Sequence, residues 1–141
     1  MISKSFANAV NAAVFGGVPL GIDTWYFGFS TKPIDNDGNI PAGGEPTNTG
    51  YTRVAMDNTS TFFSTPTYSA TAPISVVTNN RTISMLIVAG QEQLASYWLL
   101  SRHKTGNTAD VWGSFTTPIS FGAGSQIVIP AGNMLLSINN P

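Results

Sequence analysis

The sequence predicts an all-β chain: a single-domain antiparallel β-sandwich or barrel, jelly-roll-like, preceded by a short N-terminal helix. Three observations predict it. Short apolar segments of residues 23–138 are separated by clusters of Gly, Pro, Asn and Ser. About seven or eight such segments occur, at the spacing of a sandwich or barrel. Only residues 5–15 carry a helical pattern. The 141 residues suit one domain, and a chain of this length buries roughly 68–70% of its unfolded surface. We divide it into an N-terminal helix and arm, residues 1–22, and a β-domain, residues 23–141.

The helix is expected over residues 5–15. Ser5 can cap it, and Ala7, Ala9, Ala12 and Ala13 favour it. Gly16-Gly17 stops it. Phe6, Val10 and Ala13-Val14 recur at three- and four-residue spacing and give one apolar face. So short a helix needs a surface to dock on, in its own domain or in a neighbouring subunit.

Strands follow in order. Residues 23–31 alternate, with Trp25, Phe27 and Phe29 on one face and Thr24, Tyr26, Gly28 and Ser30 on the other. Residues 33–50 hold Pro33, Pro41, Pro46 and the turn sequence Asn36-Asp37-Gly38-Asn39, which reads as a long surface loop. Tyr51–Met56 is a second strand. Residues 57–72 are rich in Thr and Ser with Pro66 in the middle, and predict an extended segment or edge strand. Residues 74–77 and 82–88 are two more strands. Residues 94–117 predict a hairpin whose return strand is ended by Pro118. Residues 126–129 and 134–138 form the last pair, joined by Pro130-Ala131-Gly132-Asn133.

Charge is scarce. Only 9% of residues are charged and the net charge is -1, against about 25% charged in an ordinary domain. Ser, Thr, Asn, Gln and Gly supply the polar surface instead. Such a surface suits a protein packed against other proteins. No basic patch is present to neutralise phosphates, so a nucleic-acid partner is not expected. No run of about 18 apolar residues occurs, so no membrane partner is expected. With no cysteine, neither a disulfide framework nor a thiolate metal site is possible.

The residue types that carry chemistry do not converge. His103 is the one histidine, next to Lys104-Thr105-Gly106-Asn107, and no Gly-x-Ser-x-Gly elbow accompanies it. Glu45 and Glu92, the only glutamates, both sit in expected loops, which leaves a glycosidase acid pair unsupported. Asp35-Asn36-Asp37-Gly38-Asn39 looks like half of a calcium loop, but the Gly comes two positions early and no Glu follows at the right distance. It reads as an Asx-rich turn. Gly122-Ala123-Gly124-Ser125 does not open a helix, so no phosphate cradle is expected. No catalytic, cofactor-binding or metal-binding residue is assigned, and no cofactor is expected.

Residues 24–138 resemble a widespread family of small phage virion proteins, often labelled tail-fibre-like, of which some act as capsid decoration or cement. The resemblance lies in an ordered series of pieces. Trp25–Pro33 runs into Asp35-Asn36-Asp37-Gly38, and Glu45-Pro46 precedes Gly50-Tyr51-Thr52-Arg53-Val54. Asn80–Met85 follows, then Trp112-Gly113-Ser114-Phe115-Thr116-Thr117-Pro118, and Gly124–Leu136 closes the series. One piece departs from the family: its Asp-rich hairpin turn is replaced by Ser101-Arg102-His103-Lys104.

The resemblance implies a location in the virion and no catalysis. The leading expectation is a capsid decoration or cement protein on the outer head surface. Its partners would be the major capsid protein and itself, as a homo-oligomeric trimer or dimer. Residues 1–22 and 33–50 are the expected contacts, with Phe6, Val10, Phe15 and Tyr51 as anchors, because buried aromatics carry most interface energy. The alternative within the arm is that residues 1–22 cap their own domain. The alternative function is a tail- or head-fibre component that binds a receptor or glycan, which requires Trp98 or Trp112 at the surface.

Overall fold

The computed structural model describes residues 1–68 and 74–139. It consists mostly of strands in antiparallel sheets, with one short helix. The helix α1 spans Lys4–Phe15. The strands are β1 (Thr24–Ser30), β2 (Val54–Asp57), β3 (Thr67–Tyr68), β4 (Ile74–Thr78), β5 (Ile83–Leu86), β6 (Gln93–Ser101), β7 (Val111–Phe121), β8 (Gln126–Ile129) and β9 (Leu135–Asn139).

Ser3, not Ser5, caps α1: its hydroxyl accepts from the Phe6 N–H at 3.1 Å. The helix starts one residue earlier than expected for that reason. At the other end the chain leaves through Gly17, whose φ of 67° few other residues tolerate.

β1 and β6 form the centre of a four-stranded sheet in the order β2-β1-β6-β7. Each of its faces carries a buried apolar cluster. On one face Phe27, Phe29, Met56, Ala95, Leu100 and Phe121 join Ile83, Met85 and Ile87 from β5 and just beyond it. Phe29 meets Phe27, Phe121 and Phe115 at ring separations of 5.1, 5.0 and 5.9 Å. On the other face Leu99, Trp112 and Ala109 join Ile34 and Ile40. The expected alternation of Phe27 and Phe29 is therefore observed, and loop residues cover the opposite side.

The β6–β7 hairpin forms, but Pro118 does not end it. β7 continues to Phe121 because the proline sits in a bulge. Ala95 faces Ile119 and Tyr97 faces Ser114, so Ser96 alone opposes Phe115, Thr116, Thr117 and Pro118. A bulged residue donates nothing to the ladder, so a missing N–H costs nothing there.

The last two strands do not pair with each other. β9 pairs with β4, from Ile74↔Asn139 to Thr78↔Leu135, and β8 pairs with β5, from Ile83↔Ile129 to Leu86↔Gln126. Residues 74–86 and 126–139 are thus one long antiparallel ribbon with a corner in the middle. Asn79 holds the corner. Its amide donates to the carbonyls of Arg81 at 2.7 Å and Pro130 at 3.0 Å, and its Oδ1 accepts from the Met134 N–H at 2.9 Å. Its own carbonyl accepts from Gly132.

One further expectation is corrected and another is met in part. Residues 51–53 are not strand, since Gly50 turns at φ 97° and sets the chain against residues 86–88. In the stretch read as extended or edge, residues 59–63 form a turn on the Thr59 carbonyl, Phe63 bridges Asn79, and β3 pairs with β4 as an edge strand. Residues 69–72 of that stretch lie outside the described residues.

The Asn79 corner yields the first prediction. Asn79→Ala strips this partner from the Arg81 carbonyl and the Met134 N–H, while the Pro130 carbonyl keeps the Asn133 N–H. It is expected to cost about 2–4 kcal/mol, read as a lower denaturant midpoint with an unchanged slope.

Candidate interaction surface

The N-terminal arm begins as an extra strand. Met1 and Trp112 exchange hydrogen bonds, the Met1 amino group donating to the Trp112 carbonyl at 2.5 Å and the Trp112 N–H to Met1 at 2.9 Å. The Ser3 N–H donates to the Asp110 carbonyl at 2.8 Å. Ile2 lies opposite Val111. Residues 1–3 thus extend the sheet past β7.

Phe6 then fills a seat on the body. Its ring meets Trp25 edge-on at 5.4 Å, and the Arg102 guanidinium lies 5.5 Å from its centre. Arg102 is held there by Asp110, through its side chain at 2.9 Å and its N–H at 2.7 Å. Lys4 reaches Asp37 at 2.6 Å on the surface. Among the described residues of α1, Phe6 alone is buried.

Beyond the first turn the arm leaves its apolar side chains in solvent. Val14 is 65% exposed, Phe15 86% and Val18 57%, with Leu20 exposed as well. Val10 is half-buried. A side chain added at Gly17 or Gly21 would meet nothing within 4 Å, and the Val18 N–H closes back on the Ala12 carbonyl at 3.1 Å. Four apolar residues exposed within one short segment mark a surface for association more than scattered single residues do. A second apolar group, Leu86, Val88 and Val128, is exposed along β5 and β8.

The four expected anchors therefore separate. Phe6 is spent on the arm's own seat, and Tyr51 on the domain core. The Tyr51 hydroxyl accepts from the Phe29 N–H at 3.0 Å and donates to the Phe29 carbonyl at 3.2 Å, and its ring meets Phe121 at 5.9 Å. Val10 is half-buried, and Phe15 alone of the four is free.

The 33–50 loop is fixed to the domain. Ile34, Ile40, Pro46 and Asn48 are buried. The Gly44 carbonyl accepts from the hydroxyls of Ser30 and Thr31. Asp35 closes the expected Asx turn, accepting from the N–H groups of Asp37 and Asn39 and from the Asn39 amide. Those bonds, the Asn39 amide first, hold its carboxyl below the usual range. Arg53 is the fastening that sequence reading missed. Its side chain is 1% exposed. It bonds Glu45 at 2.6 Å, the His103 carbonyl at 2.8 Å and the Gly106 carbonyl at 2.6 Å. A lone Arg inside an apolar segment was the available signal.

The groups considered for chemistry are placed as follows. Glu45 faces Arg53, Asp110 faces Arg102, Asp37 faces Lys4, and Glu92 accepts from Ser120. Among the described residues, no three His, Asp or Glu side chains gather as a metal would need. His103 is exposed at the hairpin end. Trp112 is 1% exposed and Trp98 is packed against the main core. Two shallow depressions indent the surface. One, of about 270 Å³, lies beside Asp23, Tyr26 and Arg102, and the other, of about 470 Å³, lies along residues 40–47. No described helix is long and apolar enough to cross a membrane. Compared with known proteins, the chain matches no family and no curated protein sequence.

Two predictions follow from this geometry. Glu45→Ala strips the buried guanidinium of its counter-charge and is expected to destabilise by about 2–4 kcal/mol, measured by denaturant titration. The second concerns alkali. Burial, reinforced by the Glu45 charge, pushes the Tyr51 phenol well above its ordinary value of 10.0. The unfolded chain then releases this proton first, so stability present below about pH 10 is lost as the pH rises. Tyr51→Phe is expected to flatten that alkaline decline while lowering stability at neutral pH by about 1–3 kcal/mol.

Proposed function

We propose that this chain is a non-enzymatic structural protein of a phage particle, folded as a β-sandwich, that decorates the head by binding major capsid subunits and copies of itself. The observation that carries the reading is the exposed apolar run of Val14, Phe15, Val18 and Leu20, standing off a well-packed body. Apolar side chains gathered in one exposed segment are a mark of a protein–protein contact surface. The scarcity of charge points the same way. The virion assignment rests on the resemblance of residues 24–138 to small phage virion proteins.

The reading predicts stoichiometry. Quantitative mass spectrometry of purified virions is expected to give a ratio to the major capsid protein near one or a simple fraction of it. A few copies per particle would place the protein in the tail or a fibre, and absence from the particle would remove the virion reading. Phe15→Ser separates fold from assembly. At 86% exposure the change is expected to leave monomer stability within about 0.5 kcal/mol, while the copy number in virions falls.

A further inference from the structure

We propose that residues 1–15 are exchanged between copies of this chain, the arm of one copy occupying the β7 edge and Phe6 seat of another. The inference goes beyond decoration of a head and does not require it.

The occupant of the seat is already known, because the seat holds this arm. The fastening consists of the Met1–Trp112 pair, the Ser3 bond to Asp110 and the Phe6 ring between Trp25 and Arg102. Nothing in it depends on which chain supplies the arm. Exchange therefore leaves these contacts unchanged, which makes it a low-cost route to an oligomer. The remaining free energy lies in the hinge.

The hinge is residues 16–22. A Cβ added at Gly17 or Gly21 would meet nothing within 4 Å. The Gly16 and Val18 N–H groups bond to Ala12 within the arm itself, and the Ile22 carbonyl accepts from Asn58 on the body, which leaves residues 19–21 as the swinging segment. Pro19 sits between the glycines and biases Val18 toward an extended backbone. A hinge extended at its middle reaches outward more readily than it folds back. In the closed monomer Val14, Phe15, Val18 and Leu20 are uncovered. In an exchanged oligomer neighbouring hinges run past one another, and those side chains acquire apolar partners. Exchange conserves the contacts of the arm and adds burial at the hinge.

The sheet geometry supplies the test. Ile2 and Val111 face each other between two hydrogen-bonded positions, so their Cα atoms are as close as antiparallel partners come. A disulfide fits there, and the chain has no cysteine of its own. Ile2→Cys and Val111→Cys are placed on separate chains, mixed in equal amounts, unfolded, refolded together and oxidised. Exchange is expected to give a disulfide-linked dimer containing one of each variant, absent from either variant alone. It should take in about half of the chains, the share for random pairing of two equally abundant copies. A mixture that yields no such dimer, or one no more abundant than in the separate variants, overturns the proposal. Sedimentation of the unaltered protein is the second measurement. A concentration-dependent oligomer is expected, and a monomer at every concentration overturns the proposal. Both use purified protein, so their failure leaves the virion stoichiometry untouched.

Discussion

The buried guanidinium of Arg53 is the constraint around which the domain is arranged. A charge at 1% exposure must find a counter-charge and acceptors inside the protein. Glu45 supplies the first, and the carbonyls of His103 and Gly106 supply the second. These three partners come from two separate loops. Satisfying one side chain therefore pins the 33–50 loop and the β6–β7 turn together. That pinning has a consequence for the sheet. Leu99 and Trp112 point away from the main core and would face water without a cover. Ile34 and Ile40 provide it only because the loop is held in place. The β-sheet can thus be apolar on both faces in a chain this small.

The other face depends on a corner. Residues 74–86 and 126–139 make one ribbon, and a straight ribbon of that length could not stay with a sheet of four- to eleven-residue strands. Bending at Asn79 lets β5 and β8 carry Ile83 and Met85 to the core while β4 and β9 lay Val77 and Leu136 against it. Four residues, 79–82, oppose five, 130–134, across the bend. The amide of Asn79 satisfies the backbone groups that this mismatch strands.

These two devices mark the boundary of what the sequence could disclose. Alternation identified β1 and its core face, since Phe27 and Phe29 obey a period of two. Ala-rich spacing followed by Gly16-Gly17 located the helix to within one residue. Long-range pairing was not legible. Residues 126–129 and 134–138 look like a hairpin because a Pro-Ala-Gly-Asn turn joins them, yet both find partners in residues 74–86. Nothing local records that choice. Pro118 misled for the opposite reason. The residue forbids ordinary ladder pairing, and only the bulge opposite Ser96 removes the prohibition. Among the anchors, side-chain type was a poor guide to location. Phe6 and Tyr51 resemble Phe15 in composition, but the first two had buried neighbours to meet and the third had none.

The same logic explains why the exposed apolar surface sits where it does. Residues 1–6 are fixed by sheet hydrogen bonds, an aromatic contact and the Arg102–Asp110 pair. From Val10 onward those restraints diminish, and by Gly17 nothing touches the backbone on the side a Cβ would occupy. A helix of twelve residues is marginal without packing, so its second half depends on its attachment at the first turn or on a partner. If the segment worked only as a tether, polar residues would serve as well and would lower the risk of aggregation. Val14, Phe15, Val18 and Leu20 instead raise the free energy of the isolated chain in water. Covering those side chains on association would recover that penalty, while the doubly faced sheet supplies the stability of the single chain.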